Sequence, residues 1–129
     1  MNFSGMLKEG ALKDKVILVT GGGTGLGKSM GKYFMELGAH LIITSRRQEV
    51  LDETAAEFND YNGEVLPISG DVRDHKDVKR IIESSLDKFG KIDCLLNNAA
   101  GNFISPTERL TPKAFDVIID IVLKGTYNY

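Results

Sequence analysis

A chain of 129 residues, 42% of them hydrophobic, is long enough for one domain with a real core and short for most complete enzymes. Lys plus Arg number 16 against 18 Asp plus Glu, a formal charge of -2, which removes the basic excess expected of an electrostatic nucleic-acid binder. The single cysteine, Cys94, excludes an internal disulfide, fits a reducing compartment and is expected to pack as a small hydrophobe within "IDCLLNN". No apolar stretch approaches the roughly 20 residues of a membrane span, and a first strand near Lys15 leaves too little room for an ordinary cleaved leader. The expectation is a cytoplasmic protein with no membrane or nucleic-acid partner and no metal site.

Residues 1–14 read as an N-terminal extension. "KVILVT", Lys15 to Thr20, is a β-branched run suited to a strand buried on both faces. After a glycine stretch, Leu26, Met30, Tyr33, Phe34 and Leu37 recur at helical spacing, with Gly38 as the stop. "HLIITS" is the second strand. "QEVLDETAAEF" places Val50, Leu51, Thr54, Ala55 and Phe58 on one helical face, and "EVLPIS" extends again. Pro67 cannot donate to a ladder, so this third strand is expected at an edge or locally irregular.

Asp74 caps a helix presenting Val78, Ile81, Ile82, Leu86 and Phe89, closed by Gly90, and "IDCLLNN" forms the fourth strand. A last helix starts at Thr111-Pro112 and runs through Phe115, Ile118, Ile119 and Val122. Four strands alternating with helices imply a parallel sheet covered on both faces, a doubly wound α/β fold.

"VTGGGTGLGKSM", Val19 to Met30, puts five glycines within seven residues between the first strand and its helix. Glycine loses the most backbone freedom on folding, so such clustering signals a need that only glycine meets, such as close approach to a ligand. Ligands of these sheets bind beyond the carboxyl ends of the strands, where this stretch lies. Gly21, Gly22, Gly23, Thr24 and Gly25 let the backbone pass a phosphate, Leu26 opens the helix whose N–H groups face the anion, and Gly27 lets helix pack on strand. The expected ligand is a dinucleotide pyrophosphate. Lys28 does not close a G-x-x-x-x-G-K-[ST] pattern, so a nucleotide-hydrolase loop does not fit.

With these elements in order, the chain resembles the short-chain dehydrogenases/reductases from about Lys15 to its end. Their "TGxxxGxG" is matched by Thr20 to Gly27, their adenine-contacting Asp-hydrophobic pair by Asp71-Val72, and their "NNAG", in lengthened form, by "NNAAG", Asn97 to Gly101, which carries over Asn98 as a cofactor contact. The resemblance implies a Rossmann-type fold of which residues 15–129 are the N-terminal part, truncated after the fourth strand and the start of the next helix.

At the end of the second strand an acid would bind an unphosphorylated ribose, and a cation would accommodate a 2′-phosphate. Here stands "TSRRQE": Ser45 replaces the acid and Arg46 and Arg47 follow, which favours NADPH, while solvated surface arginines are the alternative. "NNAAGNFISPTERLTPKAF" followed by "DIVLKGT" is similar to the 2,4-dienoyl-CoA reductases of unsaturated fatty-acid degradation. That similarity implies an acyl-CoA thioester substrate, Asn102 as the hydrogen-bond donor to the thioester oxygen, Phe103 as an acyl contact, Arg73 as a contact to the coenzyme A moiety, and Thr111 as a further substrate contact or only a helix cap.

Most short-chain dehydrogenases place an asparagine where this chain has Val122, a loss the dienoyl reductases share. Those reductases read asparagine just before the glycine, where this chain has Lys124. The family's active-site tyrosine and lysine are not in this sequence, which implies the first part of a longer, commonly tetrameric enzyme. A generic carbonyl/alcohol dehydrogenase and a non-catalytic cofactor-binding module are the alternatives.

Overall fold

Every residue of "VILVT" is buried in the computed structural model of the chain, which describes residues 7–129. This strand, β1 (Val16–Thr20), is followed by α1 (Gly25–Glu36), β2 (His40–Ser45), α2 (Gln48–Glu57), β3 (Val65–Ser69), α3 (His75–Phe89) and β4 (Cys94–Leu96). The four strands form one parallel sheet in the order β3-β2-β1-β4, so the doubly wound expectation holds. Strand side chains alternate between faces. Ile17, Val19, Leu41 and Ile43 therefore meet Met35 of α1 and Leu51 and Phe58 of α2, while Val16, Leu18 and Ile42 meet Ile81 of α3 on the other side.

The segment before β1 is part of this core's rim. Leu12 packs against the α1–α2 side, and its N–H donates to the Leu37 carbonyl at 3.0 Å. The expected extension 1–14 is thus docked over its described part, and residues 1–6 lie outside the described residues.

Pro67 sits in β3, which forms one edge of the sheet, as its missing N–H requires. The other edge is β4, where only Cys94, Leu95 and Leu96 pair with β1. Cys94 is exposed there, so it does not pack as a small hydrophobe: its strand has a neighbour on one side only.

Two helical faces differ from the spacing-based expectation. In α1 the buried residues are Gly27, Gly31 and Met35, with Leu26 69% exposed and Tyr33 also outward. The helix lies so close to the sheet that glycines form the first two turns of its inner face and Met35 the last. In α3 Ser85 replaces Leu86 in the core, its hydroxyl donating to the Ile81 carbonyl at 2.6 Å, while Leu86 is exposed. An i−4 bond of this kind lets serine satisfy itself inside a helix.

The last helix is not continuous. It comprises α4 (Pro112–Ile119), a π turn at Asp120–Lys124 and α5 (Gly125–Asn128). Gly125 is buried because a Cβ there would meet Val72 Cγ2 at 2.7 Å. Tyr129 packs against the α3-side core beside Ile42; burial pushes its hydroxyl up to about 12, and it faces Thr44 Oγ1 without a well-formed hydrogen bond. Phe115, Val122, Leu123 and Tyr127 are exposed.

The tightest packing lies at Gly27. A Cβ there would collide with the Gly21 carbonyl oxygen and stand 2.5 Å from Asn98 Nδ2. Gly27→Ala is expected to lower the unfolding free energy by about 1–3 kcal/mol through overpacking, despite the roughly 1 kcal/mol alanine gains over glycine in a helix. Urea melts of variant and wild type measure this, and equal stability would mean that the glycine turn retreats freely.

Candidate functional site

Where β1 ends, Thr20 fastens that strand to the chain leaving β4. Its Oγ1 accepts the Asn98 N–H at 3.0 Å and the Ala99 N–H at 2.9 Å, so the chain leaving β4 is held against the glycine turn. Asn98 returns the bond: its Nδ2 donates to the carbonyls of Thr20 at 3.0 Å and Gly21 at 3.3 Å. The Gly21 N–H in turn donates to the Thr44 carbonyl of β2 at 2.8 Å. The turn is therefore tied to both neighbours of β1.

Gly21 (φ 68°) and Gly25 (φ 54°) adopt left-handed backbone that side chains disfavour. A Cβ at Gly21 would stand 2.9 Å from Asn98 Nδ2, and one at Gly22 would stand 2.8 Å from Ile43 Cγ2. Thr54 of α2 donates from Oγ1 to the Gly23 carbonyl at 2.8 Å and fixes the turn from the other side. Thr24 precedes α1 without capping it, and the first turn carries no acid. Among the described residues the amides at the start of α1 thus meet no capping side chain, in contrast to α3, capped by Asp74, and α4, capped by Thr111.

A cleft of about 670 Å³ opens above this floor. Gly21, Gly23, Thr24, Gly25 and Leu26 form its base, Ser45, Arg46, Arg47 and Val50 one wall, Gly70, Asp71, Val72 and Arg73 another, and Asn98, Ala99, Ala100 and Ile121 the side toward β4. It lies beyond the carboxyl ends of the strands, where strand order reverses about β1. Uncapped amides, backbone bare of Cβ atoms and two arginines fit a dinucleotide with a pyrophosphate bridge.

The arginines differ from one another. Arg46 and Arg47 form no ion pair among the described residues, and both are exposed at the cleft wall. Arg73 is instead committed to Asp71, with Nε at 2.9 Å from Oδ1 and Nη2 at 2.5 Å from Oδ2. Hydrogen bonding from Arg73 holds the Asp71 carboxyl below the usual carboxylate range, outweighing its partial burial, and the charges of Arg73 and Arg46 add to the effect. The expected coenzyme A contact thus stands beside the expected adenine contact, in the same cleft.

The remaining expected substrate residues are elsewhere. Asn102 and Phe103 are exposed on the loop beyond Ala100 and do not line the cleft. Thr111 Oγ1 accepts the Ala114 N–H at 3.2 Å and so serves as the cap of α4. Lys124 pairs with Asp120 at 2.6 Å, which raises its pKa.

Several residues of the site carry no pattern that spacing alone reveals. Gln48, at the first position of α2, accepts the Ser69 N–H at 2.8 Å and donates to the Pro67 carbonyl at 3.3 Å. Asp77 Oδ2 accepts the Asp71 N–H at 3.0 Å, and Arg80 joins Asp77 Oδ1 at 2.8 Å to the Ser69 carbonyl at 2.7 Å. The one available signal was Asp77, three residues past the cap Asp74, where capping partners commonly sit. No helix among the described residues is long and apolar enough to cross a membrane, and no group of three potential metal ligands occurs among them.

The model of the short chain dehydrogenase family matches residues 15–129. The chain is 51% identical over 127 residues to a probable 2,4-dienoyl-CoA reductase of Caenorhabditis elegans, covering 97% of this chain and 41% of that protein. It is 37% identical over 121 residues to a peroxisomal 2,4-dienoyl-CoA reductase of Arabidopsis thaliana, covering 94% of this chain and 41% of that one. Among solved structures, a 3-ketoacyl-(acyl-carrier-protein) reductase from Brucella melitensis complexed with NADH superposes with a TM-score of 0.82 at 33% identity, over 91% of this chain and 47% of that one. The chain therefore spans less than half the length of these relatives. The glycine turn, the parallel sheet and the match across nearly all of the sequence lead to one conclusion: the chain belongs to the short-chain dehydrogenase family.

Proposed function

We propose that this chain is the cofactor-binding portion of an NADPH-dependent reductase of 2,4-dienoyl-CoA thioesters, acting in the degradation of unsaturated fatty acids. The observation that carries the cofactor reading is the cleft itself: a glycine floor beneath an uncapped helix, with Arg46 and Arg47 unpaired on one wall and Asp71 on the other. The pyrophosphate is assigned to the turn from Gly21 to Leu26, the adenine to Asp71-Val72, and the 2′-phosphate to Arg46 and Arg47. Guanidinium matches phosphate in both charge and geometry. The NADH in the Brucella structure supports the general class of cofactor.

When bound, the reduced nicotinamide supplies a hydride to the conjugated thioester. Asn98 holds the floor under it through the Thr20 and Gly21 carbonyls and is a positioning residue in this reading. Hydride addition to a dienoyl thioester leaves a dienolate, whose oxygen needs a preorganised donor. Asn102 is assigned that role, Phe103 an acyl contact, and Arg73 a coenzyme A contact made from its place beside Asp71. The names of the nematode and plant relatives support this substrate class.

A generic carbonyl reductase of the same family is the second reading, favoured by the exposure of Asn102 outside the cleft and by Lys124 at the position where dienoyl reductases read asparagine. A homo-oligomer and a cytoplasmic location complete the proposal; the plant relative's name places that protein in the peroxisome.

The cofactor assignment is tested in the full chain. Arg46→Asp should weaken NADPH binding by about 1.5–3 kcal/mol, the scale of a lost charged hydrogen bond, and NADH much less; equal losses in titration calorimetry would remove Arg46 from the 2′-phosphate. The Asp71–Arg73 pair has a pH signature. A depressed carboxyl contributes stability that is present above its unfolded value of 3.8 and is lost as pH falls through the lower folded value. Arg73→Met should raise the Asp71 midpoint in a carbon-detected NMR titration, and an unmoved midpoint would mean that another group holds the carboxylate.

The substrate assignment rests on Asn102. In the longer enzyme of which this chain is proposed to be the cofactor-binding portion, Asn102→Ala should slow turnover of a 2,4-dienoyl-CoA by about 10²–10³-fold, the cost typical of removing one oxyanion donor, with NADPH binding unchanged. A variant as fast as wild type, or a wild type active only on a simple ketone, would favour the carbonyl-reductase reading.

A further inference from the structure

We propose that Gln48 is a specificity-positioning residue: its carboxamide plugs the open edge of β3 and thereby sets the distance between the 2′-phosphate arginines and the adenine wall. The inference rests on the cofactor reading above and concerns a residue outside the family's glycine, acidic and asparagine motifs.

Among the described residues, the outer side of β3 lacks a neighbouring strand. As an edge strand it leaves backbone groups unpaired on its outer side, and such groups need either water or a partner. Residues two apart in a strand point their backbone groups the same way. Gln48 uses that spacing, taking the Ser69 N–H on Oε1 and giving Nε2 to the Pro67 carbonyl. A single side-chain amide thus stands in for a neighbouring strand. Nε2 also donates to Asp52 Oδ1 at 2.8 Å one turn along α2, which orients the carboxamide.

The consequence concerns what moves with Gln48. It directly follows Arg46-Arg47, the two cations at the rim, so a bond from Gln48 to β3 is a bond from the arginine turn to β3. The opposite wall is held from α3. Asp77 accepts the Asp71 N–H, Arg80 ties Asp77 to the Ser69 carbonyl, and Gly70 lies so near α3 that a Cβ would stand 2.6 Å from Ile81 Cδ1. The far part of α2 is held separately, by Thr54 on Gly23 and by Glu57, which accepts from Lys28 at 2.7 Å. The start of the arginine turn is fixed by the Gly70 N–H, which donates to the Ser45 carbonyl at 2.9 Å, and Gln48 is the side chain that fixes its far end, in the first turn of α2, to the strand leading to Asp71.

The test compares two probes that differ only by the phosphate in question, 2′,5′-ADP and 5′-AMP, with the full chain in titration calorimetry. Gln48→Ala should weaken 2′,5′-ADP about tenfold and 5′-AMP less than about twofold, the tenfold step being the size of one or two net hydrogen bonds. Gln48→Met, equal in length without the polar atoms, should behave like the alanine variant. A ratio of affinities unchanged from wild type, a parallel loss for both probes accompanied by a fall in melting temperature, or full rescue by methionine would each overturn the inference. Wild type that does not distinguish the probes would refute the NADPH reading and this inference with it, whereas a discriminating wild type with an unaltered variant ratio refutes this inference alone.

Discussion

Backbone must touch backbone where β1 ends, and the rest of the molecule is arranged around that contact. The Gly21 carbonyl fills the space a side chain on Gly27 would need, and Asn98 fills what remains. This contact draws α1 down onto the sheet, aims its uncapped first turn into the cleft and leaves the main chain of Gly21, Gly23 and Gly25 bare on the cleft floor. Thr20 is buried beside this contact with its hydroxyl engaged: the Ala99 N–H leaving β4 depends on it, at about 1–3 kcal/mol if left unpaired, whereas the Asn98 N–H also reaches the Leu96 carbonyl at 3.0 Å.

The walls above the floor are held by different means. The middle strands are joined by ladders along their whole length, but β3 has a proline within it and no neighbour outside it. Side chains do the work the ladder cannot, from α2 on one flank and α3 on the other. Ionic contributions at these exposed positions are small in water, so the value of the Asp77–Arg80 pair lies in its direction, toward the Asp71 amide and the Ser69 carbonyl, more than in Coulomb energy.

The sheet was legible in the sequence because its signal is local. β-branched runs such as Val16–Val19 and Leu41–Ile43 bury both faces and have few other fates, and Pro67 limited its strand to an edge or an irregular one, of which the fold takes the edge. Helical faces were less legible, since periodicity counts large apolar side chains and cannot see that α1 packs through Gly27 and Gly31 or that Ser85 fills the slot beside Leu86. Cys94 shows the same limit: an apolar run states that a strand forms but not which strand has a neighbour. The glycine floor and the two arginines were readable as motifs. Gln48 and Arg80 were not, because their partners are backbone groups on β3, brought near only by the fold.

Charge in the cleft follows arrangement and not composition. The chain as a whole is slightly acidic, at -2, yet the cleft presents two guanidiniums without an ion pair among the described residues and the positive end of an uncapped helix. Its one acid on the facing wall, Asp71, is covered by Arg73 with three hydrogen bonds to its two oxygens. Screening confines such effects to about 8–10 Å at physiological salt, so distant surface acids matter little to an anion inside the cleft. Under the cofactor assignment proposed above, an aspartate can therefore stand beside an anion site, because the arginine two residues on offsets the repulsion it would exert on the phosphates.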